Sequence, residues 1–562
     1  VKAPRIDRGE LVLAYQGLDQ VPRQTRIVID PAPRLEAGRA TIPIKLAPQE
    51  VFVCVVGILP LLDEEPEQMP DFETALDDLE RTYRTWNDTS TLMTTDNEIF
   101  DDAIRWRNLE DLRVLSDDRP TGLLPTAGIP WYAVPFGRDA LITSMQTLGL
   151  NPDIARGSLR YLAQEQGREI DEDREEEPGK IMHEIRFGEL ARLRKIPHTP
   201  YYGSVDATPL FLVLLVELLD WTGEVELLNE LWPNVEAALE WIDRYGDRDG
   251  DGFVEYSRHS RFLGVRNQGW KDSRESLMWA KDEPAPLPAA LVEVQGYVYR
   301  AKAGLARWCR QTGRQDLARR LEEQAQDLRR RFDDRFWMPD AGFYAQALDG
   351  QKRQVPSVTS NPGHCLWSGI VGRERAALLA QRLVAPDMFC GWGVRTLSSE
   401  SPFYNPMSYH NGSVWPHDNS ILAHGLRRYR FAAEAELVAR SVLQACMRFA
   451  DDRIPELFCG FERDHRFFSG PGEYLVSCSP QAWGAGALFH FVQTLFGIEA
   501  DLLQGHLRID PVRTPLFGSV EVQGMRIADG ELDFSILYGE GAPQVTVQRK
   551  PGAIKTLQLG PG

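Results

Sequence analysis

At 562 residues the chain exceeds what one small core can serve, and it predicts two or three domains, one of them large. Its 43% hydrophobic and 26% charged residues are those of an ordinary soluble globular protein. A net charge of -19 and a pI near 5.1 leave no basic field for nucleic acid or an anionic membrane, and suit a neutral substrate better than a phosphorylated one.

Residues 1 to about 60 alternate apolar and polar in short runs, such as Glu10 to Tyr15 and Thr25 to Ile29, which predicts antiparallel strands with Val51 to Val56 as a central one. A Pro- and Glu-rich linker follows from Leu61 to Met69, and Phe72 to Trp86 reads as a helix. From about Asn97 to Ile498 roughly a dozen amphipathic segments alternate with long loops rich in Gly, Pro, Trp, Tyr and His. That pattern predicts a double-layered helical barrel with its site at one end. The most apolar helix, Leu210 to Leu219, is too short for a membrane span and reads as a core helix. The acidic run from Glu169 to Glu177 reads as a solvated loop. The tail from Leu507 to Gln558 returns to strand-like alternation. We divide the chain into a β-sandwich-like domain (1–70), a linker helix (71–95), a helical catalytic domain (96–500) and a C-terminal β segment (501–562).

Seven cysteines (Cys54, Cys309, Cys365, Cys390, Cys446, Cys459 and Cys478) are scattered, odd in number and without a Cys-x-x-Cys pair. They predict a reducing, cytoplasmic compartment, with neither a disulfide framework nor a zinc site. There is no signal-peptide pattern, and the strand-like start at Val1 suggests that an upstream segment has been removed.

The chemistry lies in the loops. Asp272, within Gly269-Trp270-Lys271-Asp272-Ser273, and Glu456, within Pro455-Glu456-Leu457, form a candidate acid and base pair for cleaving a glycosidic bond. Trp270 supplies an apolar wall that would raise the acid's pKa. Glu275 is a rival acid, and Glu462 and Glu473 are rival bases. Trp131, Tyr132, Arg138 and Asp139 precede or open a helix. There the Arg-Asp pair could bind vicinal hydroxyls and Trp131 a sugar face, although a helix cap with an ion pair explains Asp139 as well. His183-Glu184 and the stretch from Tyr201 to Thr208, which carries Tyr202 and Asp206, add polar and aromatic groups. His-Glu-x-x-His is absent because residue 187 is Phe, which argues against a zinc hydrolase. Asp247, Asp249, Asp251 and Glu255 have calcium-loop spacing, but Arg258 stands at the twelfth position, so the expectation is at most a structural calcium. The stretch Tyr409 to Asn419, with His410 and Trp415, gathers further hydrogen-bonding groups around a tryptophan.

At these residues the chain resembles the bacterial glycogen-debranching, amylo-α-1,6-glucosidase-type glycoside hydrolases of the (α/α)6-barrel group that includes glucoamylases. The resembling motifs run in order from Phe136-Gly137-Arg138-Asp139, through His183-Glu184, Ser204 to Ala207, Gly269 to Ser273 and Val292 to Tyr297, to Tyr409–Pro416 and Pro455 to Leu457. The resemblance implies a mainly α fold, an (α/α)6 barrel with an N-terminal antiparallel β-domain and a short C-terminal β segment. It implies inverting hydrolysis with Asp272 as general acid and Glu456 as general base, the two standing ~6.5–9.5 Å apart. Arg138 and Asp139 would hold the non-reducing-end sugar, and Trp131, Trp270 and Trp415 would line its subsite. Gln295, His183 and Tyr409 would be pocket residues. Lys271, His410, Tyr132, Glu184, Tyr202 and Asp206 complete the candidate substrate contacts. The expected substrate is a neutral oligosaccharide or α-glucoside, with no required cofactor, no nucleic acid or membrane partner, and the N-terminal sheet open to a homo-oligomer contact. The competing readings are a disaccharide phosphorylase, which lacks an evident phosphate loop here, and a non-catalytic sugar-binding protein.

Overall fold

A computed structural model describes residues 3–36, 38–62, 69–260, 264–280, 283–464, 466 and 470–560, arranged as two compact units. The first unit comprises Val1–Thr89 with Phe187–Thr199. Its period-two stretches form the antiparallel strands β1 (Arg5–Asp7), β2 (Glu10–Gln16), β3 (Pro22–Asp30) and β4 (Val55–Leu62), hydrogen-bonded in that order. Register pairs Val12 with Arg26 and Ile27 with Ile58. Among the described residues this is one sheet with a small hairpin (Arg34–Glu36, Arg39–Thr41), not two facing sheets. The strand expected at Val51 to Val56 begins only at Val55 and lies at the sheet's edge. Residues 63–68 of the expected linker fall outside the described residues. Helix α1 (Phe72–Thr89) follows, burying only Trp86. The segment 187–199 joins this unit through Glu189, whose carboxylate accepts from the Tyr15 hydroxyl and the Leu18 N–H, both at 2.6 Å.

The second unit comprises Ser90–Arg186 and Pro200–Gly562. Six of its helices are buried almost throughout: α2 (Gly137–Gln146), α3 (Ala207–Thr222), α4 (Val292–Gln311), α5 (Asn361–Ser368), α6 (Pro416–Arg428) and α7 (Ala482–Phe496). Helices α3 and α7 are apolar on every face, as helices surrounded by protein must be. Each packs on the next in chain order, and α7 packs back on α2, closing a ring. An outer layer covers it, with Asp153–Gln164 on α2 and α3, Gln315–Phe336 on α4, Arg373–Leu383 on α5, and Ala432–Cys446 on α6 and α7. The outer helices are amphipathic; Gln315–Phe336, for example, buries Ala318, Leu321, Ala325, Leu328 and Phe332 at helical spacing.

The C-terminal sheet belongs to this unit. Strands β5 (Leu92–Thr95), β6 (Ser519–Ile527), β7 (Gly530–Leu537) and β8 (Gln544–Arg549) pair antiparallel in the order β8-β7-β6-β5. The expected linker helix therefore stops at Thr89, and the Thr-rich stretch after it supplies an edge strand, with Met93 opposite Val522. No described helix is long and apolar enough to cross a membrane.

Candidate active site

The six ring helices all run the same way. Their N-terminal ends meet around one cavity of about 190 Å³, lined by Tyr132, Phe136, Arg138, Asp139, His183, Glu184, Trp270, Asp272, Tyr409, His410, Trp415 and Glu456, together with Ala127, Val265, Gln481 and Trp483. Helix α2 enters it tightly. The Gly137 N–H donates to the His183 carbonyl at 2.9 Å, and a side chain at Gly137 would stand 2.0 Å from the Met182 carbonyl oxygen. Only glycine lets Arg138 and Asp139 turn into the cavity in the helix's first turn.

Arg138 is the buried hub. One terminal nitrogen donates to both carboxylate oxygens of Asp206 at 3.1 Å, and the other reaches Asp272 Oδ2 at 3.4 Å. Asp272 keeps 29% of its side chain open. Burial raises its pKa to about 6, against the lowering pull of Arg138 and with help from Asp206. Its loop is clamped on several sides. The Lys271 ammonium donates to the Thr396 carbonyl at 2.7 Å and Ser360 Oγ at 3.2 Å. Asn267 Nδ2 donates to the Ser273 carbonyl at 2.7 Å, and Ser273 Oγ shares a 2.8 Å hydrogen bond with His410 Nδ1. Burial lowers the His410 pKa, with Lys271 and Arg138 adding to the effect, so that ring is neutral. Burial likewise brings Lys271 down to about 8.

Glu456 is held at both oxygens. The Tyr409 hydroxyl donates to Oε1 at 2.5 Å and the Cys478 N–H to Oε2 at 2.9 Å. Burial raises its pKa although both bonds favour the charged form. Asp139 is raised to about 7, by burial first and then, against Arg138, by Glu456 and Asp272. Glu184 is also raised by burial, opposed by its ion pair with Arg186. Four carboxyl groups thus share one cavity, and its walls are aromatic. Trp270 meets Trp415 edge-on at 5.7 Å, and His410 stacks on Trp415 at 5.1 Å.

Not every expected contact lines the cavity. Trp131 is exposed beside it. Tyr202 is buried with its hydroxyl on the Glu165 carbonyl at 2.8 Å. Asp206 and Lys271 stand behind the lining side chains, and Gln295 is tied to the Val254 N–H and carbonyl. The rivals Glu275, Glu462 and Glu473 are exposed and none lines the cavity; residues 271–277 are not helical, so Glu275 shares no face with Asp272. Sequence reasoning missed Trp483, which stacks on buried His417 at 3.8 Å, and its neighbour Gln481. Their signal was present: a proline and a tryptophan three residues apart bracket a helix start at Pro480-Gln481-Ala482-Trp483, near in kind to Trp415-Pro416.

The Asp247, Asp249 and Asp251 oxygens lie within 4.8 Å of one another, in the arrangement that could hold a cation. The Lys352 ammonium reaches Asp249 at 3.0 Å, Asp251 at 2.8 Å and Glu255 at 2.7 Å. Although burial opposes it, these acids raise the lysine's pKa.

Comparison with known proteins agrees with this architecture. Residues 137–464 match the mannosylglycerate hydrolase MGH1-like glycoside hydrolase domain, and residues 1–56 match the N-terminal domain of some glycogen debranching enzymes. The mannosylglycerate hydrolase of Rubrobacter radiotolerans is 26% identical over 169 residues, 29% of this chain and 38% of that protein. That of Thermus thermophilus is 33% identical over 100 residues, 18% of this chain and 24% of the relative. The matched stretches thus span well under two thirds of either protein. Among solved structures, a GH63 mannosylglycerate hydrolase from Thermus thermophilus superposes with a TM-score of 0.51 at 18% identity, over 69% of this chain and all of that one. The same enzyme has been solved with Tris and D-glycerate. A sialidase superposes with a TM-score of 0.61 at 10% identity, over 83% of this chain and 41% of its own. At these identities the structural likeness establishes a shared fold.

Proposed function

The chain belongs to the mannosylglycerate hydrolase MGH1-like family of glycoside hydrolases, and from that premise we propose that it is an inverting, exo-acting enzyme with Asp272 as general acid and Glu456 as general base. The observation that carries this reading is that these two carboxyls line one cavity with different partners. Asp272, raised to about 6, is open on one side and ready to give a proton. Glu456 has both oxygens fixed by donors that stabilise its charge.

In this reaction the Asp272 carboxyl proton passes to the glycosidic oxygen as the bond to the anomeric carbon breaks. A water attacks that carbon from the opposite face and gives its proton to Glu456. Asp272 ends ionised and Glu456 protonated, and exchange with solvent resets both. Asp139 and Glu184 are positioned to accept hydroxyl protons of the sugar, with Trp270 and Trp415 as its apolar walls. Tyr132, His183, Tyr409 and His410 are the remaining contacts. Arg138 orients Asp272, with Asp206, Lys271 and Gln295 as support. The ring and its outer helices are read as an (α/α)6 barrel.

We assign the substrate as a neutral α-glucoside or short α-gluco-oligosaccharide, including α-1,6 links. The match of residues 1–56 to a glycogen-debranching N-terminal domain supports that choice. The relatives' names favour a second reading, a mannoside of glycerate. Initial rates on isomaltose, maltose and mannosylglycerate separate the two. Glucose release is expected, and turnover of mannosylglycerate alone would overturn the glucosidic assignment. The loop from Asp247 to Glu255 is assigned a structural role in which Lys352 supplies the positive charge, so calcium would have to displace that ammonium.

A further inference from the structure

Beside the cavity stands an aromatic side chain that does not line it. Trp131 is 56% exposed, although Tyr132, the next residue, is a lining residue. Its indole N–H donates to the Val476 carbonyl at 3.2 Å, which fixes the ring's edge and leaves surface open. Two exposed apolar residues adjoin that bond, Leu475 at 92% and Val476 at 59%. A tryptophan exposed with two large aliphatic neighbours is an expensive surface unless something covers it.

This strip is built into the machinery that holds the base. The Glu456 and Cys478 backbones are joined by a 3.0 Å bond from the Glu456 N–H to the Cys478 carbonyl, and the Cys478 N–H holds the Glu456 carboxylate. The Ile129 N–H donates to the Pro480 carbonyl and the Ser479 N–H to the Ile129 carbonyl, both at 3.0 Å, so the loop carrying Trp131 is stitched to the same segment. Tyr474 closes the connection, its ring 5.7 Å from that of Tyr409. The charge inside the cavity points the same way. Arg138 is its only lining arginine among the described residues, no lysine lines it, and Arg138 is engaged by Asp206 and Asp272. Among the described residues, no lining guanidinium or ammonium is left over for a carboxylate inside the cavity.

We infer that Trp131, with Leu475 and Val476, forms a platform for the leaving group, and that this leaving group is a neutral sugar ring, not a small hydroxy acid. The flat apolar face of a pyranose matches an open indole whose edge is pinned. The inference rests on the hydrolase reading for its direction: the enclosed carboxyl-rich cavity takes the sugar delivered to water, and the exposed strip takes the ring that departs.

The test compares Trp131→Ala with the native protein on an α-linked glucose disaccharide and on α-glucosyl fluoride, whose leaving group fills no ring-sized site. The expected result is an about tenfold loss of kcat/KM on the disaccharide, with fluoride hydrolysis unchanged and most of the loss restored by Trp131→Phe. Equal losses on both substrates would make Trp131 a mere support for the Glu456 segment, and no loss on either would mean it touches no substrate; both overturn the platform. Calorimetry on Asp272→Asn keeps this separate from the chemistry. If disaccharide binds about tenfold more weakly when Trp131→Ala is added, while glucose binding is unmoved, the platform stands even where no hydrolysis occurs. Disaccharide binding that ignores Trp131, or no binding at all, removes it.

Discussion

The two ends of the helical ring invite comparison, because each encloses a cavity and each is crowded with charge. Six helix N-termini meet at the end bearing Asp139, Glu184, Asp272 and Glu456. At the other end six C-terminal segments surround Arg300, Arg307, Arg428, Arg430 and Arg508. The sign of the charge follows the helix dipoles, carboxylates at the positive ends and guanidinium groups at the negative ends. The volumes run against the proposed assignment: the arginine-rich cavity is about 500 Å³ and the carboxyl-rich one about 190 Å³. What separates them is pairing, which reaches four of these five arginines. Arg300 donates to Glu217 at 2.6 Å, Arg307 bridges Asp220 at 3.1 Å and Asp501 at 2.7 Å, and Arg508 meets Glu499 at 3.1 Å. At the carboxyl end Arg138 serves Asp206 first and Asp272 at longer range, and Arg186 pairs with Glu184. A raised pKa does not by itself mark the site, since burial also lifts Asp220 to about 6. Carboxyls that outnumber their cations, walled by tryptophans, mark it.

The sharpest way to break this contrast is to neutralise one group at each end. Asp272→Asn and Glu456→Gln should each lower kcat by about 10²–10⁴-fold in steady-state assays while the fold persists by circular dichroism. Arg300→Met should do the reverse, costing about 2 kcal/mol in a denaturant melt by stranding Glu217 and the Trp367 carbonyl, with kcat unmoved. A retained melt, or a lost kcat, would dissolve the distinction between the ends.

Acidity gives a finer test. Asp272 sits near 6 in the fold against an ordinary 3.8, so the folded state holds its proton more tightly. Its ionisation therefore costs stability fully above pH 6, and that cost disappears below about pH 4. Asp272→Asn should stabilise the protein by about 3 kcal/mol at pH 8 and by almost nothing at pH 4. The same ionisation should make kcat/KM fall about tenfold per pH unit on the alkaline side. The smallest effect lies outside both ends. Native protein should melt at the same temperature with calcium or with a chelator, whereas Lys352→Met should become calcium-dependent, because the loop then lacks its ammonium.

Much of this was legible in the sequence, because the site is carried by short loops at helix starts whose chemistry needs no long-range information. Asp272 with Trp270, Glu456 after Pro455, and Arg138-Asp139 opening a helix are local patterns, and all reach one cavity. Side-chain direction was not legible. Asp206, Lys271, Gln295 and Tyr202 have the right chemistry, but they are turned toward Arg138, the Thr396 carbonyl, Val254 and the Glu165 carbonyl. Distant pairings escaped as well. Nothing near Leu92 announces its strand partner in β6, and nothing near Asp249 announces Lys352. Trp483 escaped for another reason: a tryptophan in an apolar helix reads as core until the ring's ends are known.

The central claim is an acid and a base acting on opposite faces of one sugar. Proton NMR in the first minutes of isomaltose hydrolysis reads the anomer released before mutarotation blurs it. β-Glucose appearing first is the predicted result, and α-glucose appearing first would contradict the pairing of Asp272 with Glu456 as acid and base.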